Sequence, residues 1–256
     1  MTMLLQIVFP PTLLHTAASV FTLILMAILG LLETGGIHLQ YSKFSNTTRM
    51  NVPSRVGMFL IYAPAFLAGL ASFWLFPHGD LRFLFLKSAM TIHFFKRILE
   101  VLFVHKYSGV MGLESTIVIL GTYFTLSSIM IYAQQLTQGL PEPSIDLEYP
   151  GIVLFLIGIS GNFYHHYLLS KLRANGSKDY KIPRGGLFEL VICPHYLFEI
   201  LGFVGMSLIS QTLFSFSASL GSAMYLTCRS YVSRRWYLSK FEDFPKQVKA
   251  LIPYVF

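Results

Sequence analysis

A chain of 256 residues that is 54% hydrophobic and only 12% charged, with a mean hydropathy of +0.59, is not a soluble globular domain, where about 25% of residues are charged. The length suits one helical membrane domain and leaves no room for a separate soluble one. Cys193 and Cys228 both fall in apolar runs, which argues against a disulfide framework. The net charge of +7 is explained by the placement of Lys and Arg around the membrane, without nucleic-acid binding.

The first Lys or Arg is Lys43, so the basic start of a signal peptide is missing and the first apolar run reads as a retained span. Windows of about 20 residues predict helices near 12–32, 56–76, 83–104, 113–136, 150–170, 187–209 and 213–230. The third is the least apolar, and Pro194 is expected to interrupt the sixth. The expected fold class is therefore an all-α polytopic membrane protein, with about seven transmembrane helices in one bundle over residues 1–256. The chain has no internal repeat and no linker.

The loops after the first, third and fifth spans, with the C-terminal tail, hold 15 of the 19 Lys and Arg residues. Positive loops stay cytosolic, so a cytosolic C-terminus is expected and an N-terminus outside the cytosol. The opposite side offers Arg82 and an acidic loop with Glu142, Asp146 and Glu148. Asn46 and Asn175, in N-x-S/T sites, then fall on the cytosolic side and escape glycosylation.

Three constellations interrupt the apolar segments. In 93–109, helical spacing places His93, Arg97 and Glu100 on one face, with Lys96 able to pair Glu100. One pair tying two helices together would need fewer charges, so the face reads as the wall of a polar cavity. In 161–173, Asn162, His166 and Arg173 share a stripe toward the cytosolic surface. The eight histidines never form the HxxxH or HxxHH clusters of membrane di-iron enzymes, so no metal site is expected. The third constellation runs from 178 to the basic tail. It crowds Arg173, Lys178, Lys181, Arg184, Arg229, Arg234 and Arg235 at one mouth, where a phosphate-rich ligand could enter. No GxGxxG follows a strand, so a nucleotide would have to sit between helices.

At these residues the chain resembles the steroid 5α-reductase family (3-oxo-5-alpha-steroid 4-dehydrogenases), which also includes the very-long-chain trans-2-enoyl-CoA reductases. The resemblance runs from about residue 56 to the end and is sharpest in KIPRGGLFELV-CPHY--E and YLSKFEDFPK--KALIP-VF. HFFKR-LE-LFVHK, in the third span, is more like the enoyl-CoA branch, and IPRGGLFE more like the plant and animal steroid branch. The chain thus looks like a divergent, plant-like member. The resemblance implies a seven-helix bundle in the endoplasmic reticulum membrane, with 161–256 as the cofactor-binding region and NADPH entering from the cytosol. It implies reduction of a C=C bond conjugated to a carbonyl in a sterol or acyl lipid. Hydride goes to the β-carbon and a proton to the α-carbon; fatty-acid elongation partners are conceivable.

Carried over by position, Asn162, Arg173, Lys181, His195, Tyr196, Glu199, Arg229 and Tyr237 resemble the cofactor-contacting set, joined by His166 of the same stripe. His195 stands where the family usually has Asn. Two departures concern chemistry. The Tyr thought to donate to the substrate carbonyl is Phe94 here, and a second-span Glu of the steroid branch is matched by Tyr62. Losing one oxyanion donor costs about 10²–10³ in rate. The expectation is therefore that Tyr62 donates across the cavity, with His93, Arg97 and Glu100 completing the catalytic wall. The alternatives are a protein that binds the cofactor with altered chemistry, or a membrane S-adenosylmethionine methyltransferase. That second class usually has Arg-His-Pro where this chain has Ile192-Cys193-Pro194.

Overall fold

The computed structural model describes residues 4–45, 50–107, 109–173 and 179–256, so Asn46, Asn175 and Lys178 lie outside the described residues. A one-turn helix α1 (Leu4–Ile7) leads into α2 (Leu13–Thr34), whose start is capped by the Thr12 hydroxyl accepting from the His15 amide at 3.2 Å. There follow α3 (Ser54–Leu75), α4 (Leu81–Leu99), α5 (Leu113–Gln135), α6 (Glu148–Lys171), α7 (Pro194–Ser210) and α8 (Leu213–Lys240). Strands β1 (Asn51–Pro53) and β2 (Val110–Gly112) form a short antiparallel clip with Val52 opposite Met111. Among the described residues the fold is otherwise almost wholly helical.

The long helices α2 to α8 fall where the seven apolar windows predict them. Among the described residues, α2, α3, α5 and α6 are long and apolar enough to cross a membrane. Of the other three, α7 has only 17 residues, and α4 and α8 are less apolar along their length. Pro194 does not interrupt the sixth helix. It is the first residue of α7, where its fixed φ suits a helix start and its missing N–H removes nothing. The preceding Gly186–Glu189 forms a separate 3₁₀ turn. The seventh helix runs ten residues past its predicted end, so much of the basic tail is helical.

Beyond α8 the chain folds back under the start of α7. The amides of Ile192 and Cys193 donate to the carbonyls of Lys249 and Ala250 at 2.9 and 3.1 Å. Ile192, Tyr237, Phe244, Val248 and Leu251 close an apolar cluster beneath this junction. Arg234 does not join the basic mouth, because its guanidinium donates to the carbonyls of Val248 and Lys246 at 2.6 and 2.8 Å.

The far end of the bundle is closed by Arg82. Its guanidinium lies 2.8 Å from Glu142 and 2.7 Å from Asp146 and donates to the Ile209 carbonyl at 2.7 Å. The lone positive residue and the acidic loop predicted for one side thus form a single ionic lock.

Helices α6 and α7 carry five of the predicted site residues, Asn162, His166, His195, Tyr196 and Glu199, and pack backbone to backbone. A Cβ on Gly158 would sit 2.3 Å from the Gly202 nitrogen and 2.6 Å from its Cα. Neither atom can yield without moving a helix, and such small-residue contacts are how helices approach closely in lipid. Gly158→Ala should therefore cost about 2 kcal/mol and lower the thermal midpoint of detergent-solubilised protein; an unchanged midpoint would show that the interface can relax.

Candidate active site

A cavity of about 740 Å³ opens among the helices at the end where the Lys- and Arg-rich connections meet. Its inner part is apolar, with Met58, Ile119, Leu126, Phe203 and Leu226, while its mouth carries Lys43, Lys106, Arg173 and Lys181. Of the predicted residues, Tyr62, Arg97, His166, Arg173, Lys181, His195, Tyr196, Glu199, Arg229 and Tyr237 line it. His93, Glu100 and Asn162 do not; they stand one layer behind. Arg184 and Arg235, placed at the same mouth by the sequence, are exposed and do not line it either.

Arg97 on α4 is the hub. Nη1 donates to Glu100 at 2.7 Å and lies 2.9 Å from His166 Nδ1, and Nη2 donates to the Tyr62 hydroxyl oxygen at 2.5 Å. The guanidinium also stacks 4.7 Å from the Tyr62 ring. Glu100, 1% exposed, is held in turn by Lys96 at 2.9 Å and by His166 at 3.1 Å. The chain can place Glu100 there because α4 ends in a wider π turn at Glu100–Val104. Lys96 hydrogen-bonds the Asn162 side-chain oxygen, and Asn162 Nδ2 donates to the His195 carbonyl at 2.8 Å. Asn162 therefore positions the first turn of α7. With Glu199 nearby, two carboxylates balance two cations, as buried charge requires.

Glu100, His105 and His166 bring one potential ligand atom each within 4.8 Å of one another, a grouping the sequence spacing does not reveal. The Arg97 guanidinium fills the same space with positive charge, which opposes a cation there. Burial pushes the imidazole of His105 down to about 4, with Arg97 adding to the effect.

Phe94 is 2% exposed and packs edge-on against Tyr123, with ring centroids 5.5 Å apart. Tyr123, on α5, lines the cavity and donates to Glu199 Oε1 at 3.4 Å; its ring lies 5.6 Å from that of Tyr62. The sequence gives no signal for Tyr123, since a Tyr among apolar and hydroxyl residues is ordinary packing. Two phenols thus face the cavity with opposite polarity. The oxygen of Tyr62 accepts from Arg97, which leaves its proton free, whereas the proton of Tyr123 is engaged by Glu199.

Among the described residues, Arg97 Nε and His195 Nδ1 are buried without a hydrogen-bond partner. Buried polar nitrogens left without partners beside a cavity suit a ligand with polar atoms of its own. A residue outside the predicted set, Glu33, lies at the end of α2 and takes both carboxylate contacts from Arg229 Nη1 at 2.7 Å. It was legible in principle, as an isolated carboxylate closing an otherwise apolar span.

Residues 113–256, which include α5 to α8 and the folded tail, match the family described as 3-oxo-5-alpha-steroid 4-dehydrogenase. The chain belongs to that family. It is 31% identical over 215 residues to 3-oxo-5-alpha-steroid 4-dehydrogenase 2 of Macaca fascicularis, covering 80% of this chain and 82% of the relative. It is 36% identical over 167 residues to a very-long-chain enoyl-CoA reductase of Dictyostelium discoideum, covering 64% of this chain but only 55% of that protein. A steroid 5-alpha-reductase of Gossypium hirsutum is 39% identical over 107 residues, covering 41% of this chain and 42% of the relative.

The family match begins after α4, so Tyr62, Lys96, Arg97 and Glu100 lie outside the matched segment, while their partners Asn162 and His166 lie inside it. Glu100→Gln removes the charge that answers Lys96 and Arg97. It should destabilise the protein by about 3 kcal/mol, read as a lower thermal midpoint in detergent; wild-type stability in that variant would refute the network's structural role.

Proposed function

We propose that this protein is an NADPH-dependent reductase of a C=C bond conjugated to a carbonyl in a lipid, either a 3-oxo-4-ene steroid or a very-long-chain trans-2-enoyl thioester. As a family member it is an oxidoreductase acting on CH–CH groups, and the relatives bear reductase or dehydrogenase names of both substrate kinds. The single observation that carries the mechanism is the Arg97–Tyr62 hydrogen bond at 2.5 Å on the cavity wall.

The cavity suits such a cofactor: its mouth is basic, and among the described residues buried Arg97 Nε and His195 Nδ1 lack partners. Arg173 and Lys181 would hold phosphates, and Glu199, with Asn162 supporting its turn, would accept from the carboxamide. Bound there, NADPH would supply the hydride that the β-carbon of the substrate receives. Tyr62 then does the chain's own chemistry. Arg97 donates to the phenol oxygen, which orients the hydroxyl proton away from itself and strengthens it as a donor. That proton is available to a substrate carbonyl oxygen, where negative charge develops as the enolate forms. Phe94 takes no part, and its ring instead buttresses Tyr123. The apolar end, with Phe203, Leu126 and Ile119, excludes water from the reacting carbons and holds the lipid.

The bundle is read as seven membrane spans in the endoplasmic reticulum, with the basic mouth and the C-terminus on the cytosolic side. The positive-inside bias supports that orientation, and the structure gathers the basic connections at one end.

Microsomes containing the protein should oxidise NADPH when offered a 3-oxo-4-ene steroid or a trans-2-enoyl-CoA. Tyr62→Phe should lower turnover by about 10²–10³ without loss of NADPH binding. Turnover unchanged in that variant would sink the Tyr62 role, and NADPH binding without reduction of either substrate would point to a protein with altered chemistry.

A further inference from the structure

Glu199, on α7, is 5% exposed and lines the cavity. Its backbone is fixed from α6, since Asn162 Nδ2 donates to the carbonyl of His195 one turn earlier at 2.8 Å. Its side chain is held differently, because the cations that face it are committed elsewhere. Both terminal nitrogens of Arg97 are engaged by Glu100, His166 and Tyr62, and the Lys96 ammonium lies on Glu100 and Asn162. They act on Glu199 only through charge at longer range. Among the described residues, the one hydrogen bond that the Glu199 carboxylate receives comes from the Tyr123 hydroxyl, at 3.4 Å to Oε1.

The Tyr123 ring, on α5, is braced on two sides. Phe94 packs edge-on against it, with centroids 5.5 Å apart and planes at 69°, and the Tyr62 ring lies 5.6 Å away, tilted by 40°. Phe94 is 2% exposed and does not line the cavity, so Tyr123 is the aromatic surface presented there. One residue thus touches both the phenol proposed as proton donor and the carboxylate proposed to meet the cofactor. With Oε1 engaged, Oε2 has no hydrogen-bond partner among the described residues and is left to accept from a ligand N–H. A long side chain without such an anchor keeps its rotamer freedom and holds a ligand group at no single angle.

We infer that Tyr123 is a positioning residue, its hydroxyl setting the rotamer of Glu199 so that the carboxylate receives the N–H of a nicotinamide carboxamide in one orientation. This deepens the reductase reading and rests on it. The nicotinamide, when bound, supplies the hydride, and the carboxamide is the handle by which a protein sets the angle of that ring. The chain's part is to keep this handle in register with the Tyr62 hydroxyl. Tyr123 does so through two contacts, its hydroxyl on Glu199 and its ring against Tyr62. It gives up no proton itself, because its hydroxyl is engaged by Glu199.

Binding of two nucleotides tests this, with NADPH and its 3-acetylpyridine analogue titrated by calorimetry into the full chain in detergent. The analogue keeps a carbonyl on the ring but has a methyl group in place of the carboxamide nitrogen, so it has no N–H for Glu199. Wild type should bind NADPH more tightly than the analogue. Tyr123→Phe keeps the ring and removes only the hydroxyl. It should weaken NADPH by about tenfold, leave the analogue at its wild-type affinity and leave the ligand-free thermal midpoint unchanged. In a Glu199→Ala background the same substitution should change NADPH affinity no further. Wild-type NADPH affinity in Tyr123→Phe, or an equal loss for both nucleotides, overturns the inference while leaving the reductase reading standing. A wild-type protein that binds neither nucleotide overturns the reading itself.

Discussion

A guanidinium sealed among apolar helices must find its counter-charges inside the protein, and the site is organised around that requirement at Arg97. Removing an ion from water costs several kcal/mol unless charge and hydrogen bonds replace the solvent. Arg97 finds Glu100 on its own helix, Tyr62 on α3 and His166 on α6, so satisfying one residue fixes three helices against each other. Lys96 carries the constraint on through Asn162 to the backbone at His195, and hence to Glu199 one turn later. Residues of the cavity wall are thus positioned in part by Lys96, Glu100 and Asn162, which do not line it.

This arrangement also divides the cavity into two environments. Toward the mouth, cations from three connections and α8 converge with the carboxylate of Asp179, and Glu33 behind them is spent on Arg229. Toward the interior, the walls are Met, Ile, Leu and Phe. A molecule that is anionic at one end and greasy at the other, or a pair of molecules that together are so, matches both. Where the two environments meet stand Tyr62 and Tyr123, one bound to a cation and the other to a carboxylate. The hydrogen-bond polarity of each phenol is set by its charged partner rather than by its own chemistry.

Much of this was readable from residue order. The seven helical windows, the pairing of Lys96 with Glu100 and the gathering of basic loops at one end rest on period, spacing and charge bias, all local or additive properties. The start of α7 was misplaced because Pro194 reads equally as a break or a first residue, and only the backbone of the folded tail against Ile192 and Cys193 decides between them. His93 and Glu100 share a face with Arg97 in any helix, yet of the three only Arg97 reaches the cavity, because helical spacing sets direction without saying what stands opposite.

By itself the sequence determined that charge lies inside an apolar chain, on which helices, and that position 94 has no hydroxyl to offer. Tertiary structure decided which charges neutralise each other and which are left over. Glu33 and Arg229 meet across 196 positions of sequence, Tyr123 meets Glu199 across 76, and Lys43 packs against the rings of Phe44, Trp236 and Tyr237. Such pairings depend on distances between helices that no local pattern encodes, and a buried ion's behaviour is set by its nearest partner, wherever in the chain that partner lies.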